Sequence, residues 1–397
     1  MNRETHPKLI TLLSLYIAQS VPMSFFSTVI PVIMRQENYS LESIGLLQLI
    51  KLPWIIKFLW APMVDRSGGS IKGYMKWIFY SEFIYALVIL MTGFLNLKTD
   101  FPVIIALMVL AFAFSATQDI ATDAFAIRIL EKKDRSLGNS MQSAGSFLGT
   151  LAGSGILLVI YNKYGWKTMI IGLAAFVIIA LVPVLIFKGK IVPVERKVSE
   201  RIHFADIFVF FRQKYIFPRI IYLTLFYSGI VGTLAMVKPY MVDLGYSMKE
   251  IGIMSGIVGT ATGSAAALFS GYLIRRFGSY RIQILIVSMI ILSSSWFMFH
   301  VVFPSHIILY SGIILLWGTY GMASVAVYTS SMNFVRPGRE GTDFTLQIVI
   351  THLSSLIIAV SSGKIAGSLT YSGLFLIEIC LGIATLNFIS SRVNKLF

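Results

Sequence analysis

The stretch KLPWIIKFLWAPMVDR, residues 51–66, sets two lysines in a run of proline, tryptophan, phenylalanine and aliphatic residues and ends on an Asp-Arg pair. The run is greasy enough to cross a bilayer. Ammonium groups at such depth are expensive and therefore need a physical reason.

Composition supplies the setting. Of 397 residues, 56% are hydrophobic and 13% are charged, whereas soluble domains carry about 25% charged residues. Apolar runs near or above the ~18 residues of a membrane span recur at about 9–34, 42–64, 75–96, 102–129, 139–161, 167–187, 218–242, 250–274, 282–303, 307–335, 343–369 and 373–391. Inside lipid every backbone N–H and C=O must be paired internally, so spans of this length are helices. The expected class is an all-α polytopic membrane protein of twelve transmembrane helices.

The net charge of +15 raises nucleic-acid binding as a function, but its placement argues against it. With the N-terminus inside and twelve alternating spans, inner segments hold 24 of the 33 Lys/Arg and outer segments hold five. That is the positive-inside bias. Both termini are expected to be cytoplasmic. The first apolar run is too long for a signal h-region and reads as the first span. The lone Cys380 excludes an intrachain disulfide. Asn38-Tyr39-Ser40 matches a glycosylation pattern of low specificity.

The chain echoes itself. YSLESIG (39–45) and YSMKEIG (246–252) each open a span, 207 residues apart. RSLGNSMQ (135–142) and EGTDFTLQ (340–347) do the same at an offset of 205, and both end in Gln. VDRSGG (64–69) and IRRFGS (274–279) both close a span. Two six-helix bundles follow, at 1–187 and 218–397, with parallel repeats as in transporters. They are joined by a basic cytoplasmic linker, 188–217, whose HFADIFVFFRQKYIF part reads as an amphipathic surface helix.

Twelve spans, two halves and the D-R and R-R-x-G turns resemble the major facilitator superfamily. LPWIIKFLWAPMVDR and TQDIATDAFAIRIL (117–130) are similar to its AmpG-like muropeptide permease branch, which includes short siderophore importers and acetyl-CoA transporters. Muropeptide permeases of the best-known type are longer, and the length here is nearer the siderophore importers. The resemblance implies that spans 1, 4, 7 and 10 line a cavity. It implies that the turn after span 2 latches onto the start of span 11 and onto basic residues after span 4.

The charges inside spans carry the chemistry. Lys57 lies seven residues from the inner end of span 2, and Asp119 and Asp123 lie ten and six from that of span 4. Lys57 thus falls between the acids in height, and the acids share one helix face. Lys57 is expected to meet Asp119 or Asp123, either as a structural ion pair or as a proton-coupling group. Asp65 and Arg66, with Arg128, Asp343 and Arg276, are expected to form a cytoplasmic gate, in which the resemblance makes Thr342 and Asp343 the positions at the start of span 11 that the Asp65 turn meets. Expected substrate contacts are Tyr16, Gln19, Lys51, Tyr227, Lys238, Tyr320, Ser324 and Tyr328. Their aromatic bodies and polar tips suit a solute with apolar and hydrogen-bonding parts, and the lysines suit an anionic group. Glu82 reads as structural, and Lys364 and Glu378 read as reaching water. The glycines at 145, 149 and 153, and at 252, 256, 259 and 263, read as helix packing of spans 5 and 8 across the seam between the halves.

No nucleotide loop, nucleophile–base pair or metal-ligand spacing appears. His352, within span 11, reads as a hydrogen-bonded structural histidine. The expected function is a secondary transporter without cofactor, importing a polar or anionic solute such as a muropeptide-like glycopeptide with protons. The alternatives are siderophore import and a transport-inactive receptor. The expected setting is the bacterial inner membrane, as a monomer, with a small-molecule substrate, the lipid bilayer and no nucleic acid as partners.

Overall fold

The computed structural model describes residues 5–36, 47–68, 70–96, 99–187, 189 and 202–391. The Asn38-Tyr39-Ser40 pattern, the YSLESIG copy, the start of the 42–64 segment and most of the basic linker lie outside the described residues. Every regular element among the described residues is helical.

The chain separates into two compact units. The first is Met1–Ile207 with Val335–Thr345, and the second is Phe208–Phe334 with Leu346–Phe397. The division falls inside the segment expected to be a linker, and residues 335–345 cluster with the first unit.

In the first unit, α1 (Thr5–Ser24) runs on through a π-helical turn, Phe25–Val29, into Ile30–Gln36. The lysine-bearing stretch is broken: Leu52–Ile56 lies between tight turns Leu47–Lys51 and Lys57–Leu59, and α2 (Ala61–Gly68) follows. Pro53 and Pro62 each fall in the first turn of a new segment, where a missing N–H is harmless. Next come α3 (Ile71–Thr92), α4 (Phe101–Ile129), α5 (Arg135–Leu151) and α6 (Leu157–Ile179). Ser70 caps α3 by accepting the Gly73 N–H at 3.1 Å. Helix α3 packs along α4, and α1 along α5.

The second unit contains α7 (Ile216–Leu225), α8 (Ser228–Asp243), α9 (Gly259–Phe277), α10 (Ser279–Val302), α11 (His306–Asn333) and most of α12 (Glu340–Ser391). Here α9 and α10 pack along α11.

Nine continuous helices among the described residues are long and apolar enough to cross a membrane, against the twelve spans expected. The difference has a physical cause. The stretch expected as a second span is broken at its prolines. Two expected pairs, 139–161 with 167–187 and 343–369 with 373–391, each follow one another without a loop and meet at a single non-helical residue, so each pair forms one uninterrupted run. A straight helix of the 52 residues of α12 would be about 78 Å long, more than twice a bilayer core of ~30 Å. It bends at Thr370, with φ 62° and ψ 177°. The first unit bends at Gly165, with φ 77° and ψ 178°. These positions are 205 residues apart, the offset of the RSLGNSMQ/EGTDFTLQ echo, so the repeat extends to the backbone conformation.

Helix faces are inverted relative to a water-soluble protein. Phe79, Phe83, Leu87 and Met91 form the exposed stripe of α3, while Ser81, Glu82 and Tyr85 on the other face are buried. Apolar side chains outward and polar ones inward suit lipid as the solvent. Glu378 also departs from expectation. It is buried at 1% exposure, pressed against α8 so closely that a Cβ on Gly232 would lie 2.1 Å from its Oε1. Lys364 is exposed, as a water-seeking side chain should be.

The small-residue contacts run within each unit. A Cβ at Gly149 or Gly153 would strike Ser20 Cβ at 2.5 Å or the Val21 carbonyl oxygen at 2.3 Å, so α5 and the turn after it lie tight on α1. Gly321 on α11 meets the Gly263 carbonyl oxygen of α9 at 2.2 Å from its would-be Cβ, whereas Gly252 and Gly256 face open space. Gly321→Ala is therefore expected to force backbone apart and to destabilise by about 1–3 kcal/mol. Gly252→Ala should be neutral or slightly stabilising, by at most about 1 kcal/mol. Thermal unfolding of the two variants in detergent checks the contrast.

Candidate functional site

Four segments of the first unit converge on one buried polar cluster. Lys57 projects from the tight turn Lys57–Leu59, is 1% exposed, and forms an ion pair with Asp119 of α4. Its ammonium lies 4.6 Å from the centre of the Trp54 ring, a cation–π contact that partly replaces lost hydration. Trp60 holds the same chain segment to α4 by donating its indole N–H to Thr117 Oγ1 at 3.1 Å.

Asp123, one helical turn after Asp119, is also buried and interacts with the Asp119 carboxyl. Its Oδ1 accepts the Tyr16 hydroxyl of α1 at 2.6 Å and the Gln142 amide of α5 at 3.2 Å. Beside it, the Gln19 amide of α1 donates to Gln118 Oε1. The Gln118 amide nitrogen and the Thr122 hydroxyl are buried with no hydrogen-bond partner among the described residues. The cluster thus holds one ammonium and two carboxyl groups, of which Asp119 pairs with the ammonium. A buried charge without a counter-charge is strongly disfavoured, and Asp119 supplies one for Lys57.

The expected substrate contacts are placed as follows. Tyr16 and Gln19 are turned to Asp123 and Gln118. Tyr227 is buried, its ring 5.8 Å from that of Tyr320. Tyr320 and Tyr328 are half-buried on α11, and Ser324, on the same stripe, donates to the Gly321 carbonyl of its own helix at 2.8 Å. Lys51 is half-buried, and Lys238 is exposed. Lys238 therefore takes the position of a snorkelling surface lysine. Gln142 was absent from the expected site; its one signal was its place at the end of RSLGNSMQ. Neutral polar residues inside spans are too common to stand out.

The expected gate is rearranged. Asp65 is fully buried and caps the N-terminus of α12. Its oxygens accept the Gly341 N–H at 2.8 Å, the Thr342 N–H at 2.7 Å and hydroxyl at 2.6 Å, and the Tyr74 hydroxyl at 2.8 Å. A carboxylate suits this position because it meets unpaired N–H groups and the positive end of the helix dipole. Asp343 does not join Asp65. It holds Arg336 instead, accepting Nη2 at 2.6 Å and Nε at 2.9 Å, since two carboxylates at one helix start would repel. Arg128 approaches Glu340 at 3.6 Å. Arg66 is exposed, and Arg276, also exposed, donates to Tyr272 at 2.9 Å.

Asp206 belongs to the same end of the unit, outside the spans. It begins the short helix Asp206–Phe210 and accepts Arg339 Nε at 2.8 Å and Arg336 Nη1 at 3.5 Å. Around it, Phe204, Phe208 and Phe211 are exposed, as in a segment lying against lipid. Burial pushes the Asp206 carboxyl up, but the His203 N–H and the two guanidinium groups outweigh it and hold the group below the ordinary carboxylate range.

The Major Facilitator Superfamily model matches residues 12–359. The chain belongs to the Major Facilitator Superfamily. Over 280 residues this superfamily member is 26% identical to the anhydromuropeptide permease of Escherichia coli (strain K12), covering 69% of the chain and 57% of that permease. The chain thus spans less than two thirds of the permease's length. It is 22% identical over 412 residues to the putative transporter AmpG 4 of Rickettsia conorii, covering 98% of the chain and 97% of that protein. A crystal structure of a bacterial homologue of the iron transporter ferroportin, in an outward-facing state, superposes with a TM-score of 0.70 at 14% identity, covering 98% and 99% of the two chains. At that identity the likeness shows the fold. The chain is therefore that of a membrane protein of this superfamily.

Two measurements check the geometry. Asp65→Ala leaves buried donors at Gly341, Thr342 and Tyr74 unpaired, at about 1–3 kcal/mol for each group that finds no water. It should lower the unfolding temperature clearly, whereas Arg66→Ala should stay within about 0.5 kcal/mol of the parent. The lowered Asp206 carboxyl contributes stability that is present above its unfolded value, about 3.9, and is lost as pH falls through the lower folded value. The unfolding-temperature gap between parent and Asp206→Asn should therefore be constant near neutrality and close only in acid.

Proposed function

We propose that this superfamily member is a secondary transporter that moves a polar, anionic solute together with protons, using Lys57, Asp119 and Asp123 as the coupling group. The observation that carries this reading is the buried cluster in which one ammonium pairs with Asp119 while a second carboxyl group, Asp123, lies one helical turn away with neutral hydrogen-bond partners. With both acids ionised the cluster has one negative charge in excess, in surroundings that penalise it. Taking up one proton balances it. Tyr16 and Gln142 both donate to Asp123, and so favour its charged form. Water entering the cluster also favours ionisation and release, while closure favours the loaded, neutral state. Alternating exposure to the two sides would convert a proton gradient into directed movement.

The solute class comes from the relatives. A permease named for anhydromuropeptides is similar over much of this chain, and a glycopeptide with free carboxylates is the first substrate to test. A cytoplasmic-membrane location and import go with that reading.

The test is uptake into proteoliposomes under an imposed pH gradient. Labelled 1,6-anhydromuropeptide, an iron–siderophore complex and an acyl-CoA are offered in parallel. Acid outside should raise accumulation of the muropeptide at least tenfold. Asp123→Asn should abolish that gradient response while the variant still reaches the membrane and still exchanges solute across it. Uptake indifferent to the gradient in the parent would remove proton coupling. Saturable binding with no uptake of any solute would favour a receptor.

A further inference from the structure

The second unit buries a charge of the opposite sign. Arg219, in the first turn of α7, is 0% exposed and among the largest fully buried side chains of the protein. Its Nε donates to Gln347 Oε1 at 2.8 Å, and its Nη2 donates to Ser330 Oγ at 3.1 Å and Ser331 Oγ at 2.9 Å. The guanidinium carbon lies 4.8 Å from the Tyr222 ring centre and 5.5 Å from that of Phe334. All these partners are neutral. Among the described residues no carboxylate pairs with Arg219, and its Nη1 makes no hydrogen bond.

We propose that Arg219, with Ser330, Ser331 and Gln347, is an oxyanion site that receives a carboxylate or phosphate group of the solute. The proposal rests on the transport reading for its physiological use, while its chemistry is independent of it. Three observations support it. First, an uncompensated guanidinium out of water is costly, and a counter-ion recovers that cost. A purely structural clasp between α7, α11 and α12 would be met by a neutral side chain. Second, the group is held ready. The Gln347 amide nitrogen donates to the Phe334 carbonyl at 2.9 Å and the Ser331 carbonyl at 3.2 Å, which turns its oxygen toward Nε. Ser330 donates to the Val327 carbonyl at 2.9 Å, which leaves its oxygen to accept Nη2. With Nε and Nη2 occupied, the two N–H groups of Nη1 are the ones left to a ligand. Third, the internal repeat points to the same place. Gln142 and Gln347 close the two echoed segments RSLGNSMQ and EGTDFTLQ, and each bonds a buried ionisable side chain of its own unit, Asp123 in one and Arg219 in the other. Nη1 is sealed from solvent in this conformation, so the site loads when the helices around it part.

The experiment measures ligand-induced thermal stabilisation of the purified full chain in detergent. The probes are muramyl dipeptide with its free carboxylate, the same compound fully amidated, N-acetylglucosamine 6-phosphate, and N-acetylglucosamine. The parent should bind at least one acidic probe tenfold or more tightly than its neutral counterpart, and the arm that shows the preference tells carboxylate from phosphate. Arg219→Gln should erase the preference. Gln347→Glu supplies the missing counter-charge from within, which offsets the two carbonyl hydrogen bonds its amide loses, so it should keep the fold and also erase the preference. That variant keeps the proposal testable where Arg219→Gln fails to fold. A parent with no acid-over-neutral preference, or a folded Gln347→Glu protein that retains it in full, overturns the oxyanion site. Parent protein that shows the preference in detergent but moves no solute in proteoliposomes would instead sink the transport reading and leave the site standing.

Discussion

The imbalance of charge around Lys57 governs the first unit. An ammonium group can be kept out of water only next to an acid, and Asp119 meets that need. The second acid, one turn along, does not. Tyr16 of α1 and Gln142 of α5 are drawn to Asp123, and so the cluster fixes how three long helices and one broken segment approach each other. The break at Pro53 and Pro62 belongs to the same arrangement. It lets the chain present Lys57 from a tight turn, with Trp54 and Trp60 of the same stretch securing it.

A second constraint acts at the helix ends. The N-terminus of α12 would leave unpaired N–H groups in a region with little water. Asp65 answers two of these N–H groups and the Thr342 hydroxyl, and Tyr74 fills its remaining capacity. Arg336, Arg339, Asp206 and Asp343 then neutralise each other nearby. Helix starts buried in a membrane protein need such partners more than those in water, because the solvent offers no substitute.

Much of this was legible in the sequence, and the reasons differ by residue. Lys57, Asp119 and Asp123 stood out because charge inside an apolar run is rare. Heights along two helices were enough to bring them level. Tyr16 was legible as a cavity residue but not as a partner of Asp123, because a neutral side chain carries no sign of its partner. Thr342 is legible as a partner of Asp65, whereas Asp343 turns to Arg336 and Gly341 takes its place, since residue spacing cannot tell which of three consecutive groups at a helix start presents its N–H. Arg219 was absorbed into the count of positive residues near helix ends, where cations are ordinary; only its neutral surroundings set it apart. The helices on either side of Gly165 and of Thr370 are legible as separate spans from the polar dip between them, but the dip does not mark the single residue that turns the backbone.

Those two residues have a last consequence. Gly165 and Thr370 adopt nearly one backbone conformation in the two copies of the repeat, and that region is natural for glycine but costs a β-branched residue about 1–3 kcal/mol. The corner is thus a property of the architecture that both copies must obey, whatever amino acid stands there. One half turns it freely, while the other does so under load and leans on its neighbours, among them the Tyr371 hydroxyl that donates to Asp243 at 2.5 Å. Two copies of one repeat can therefore share a shape and still differ in how readily each opens.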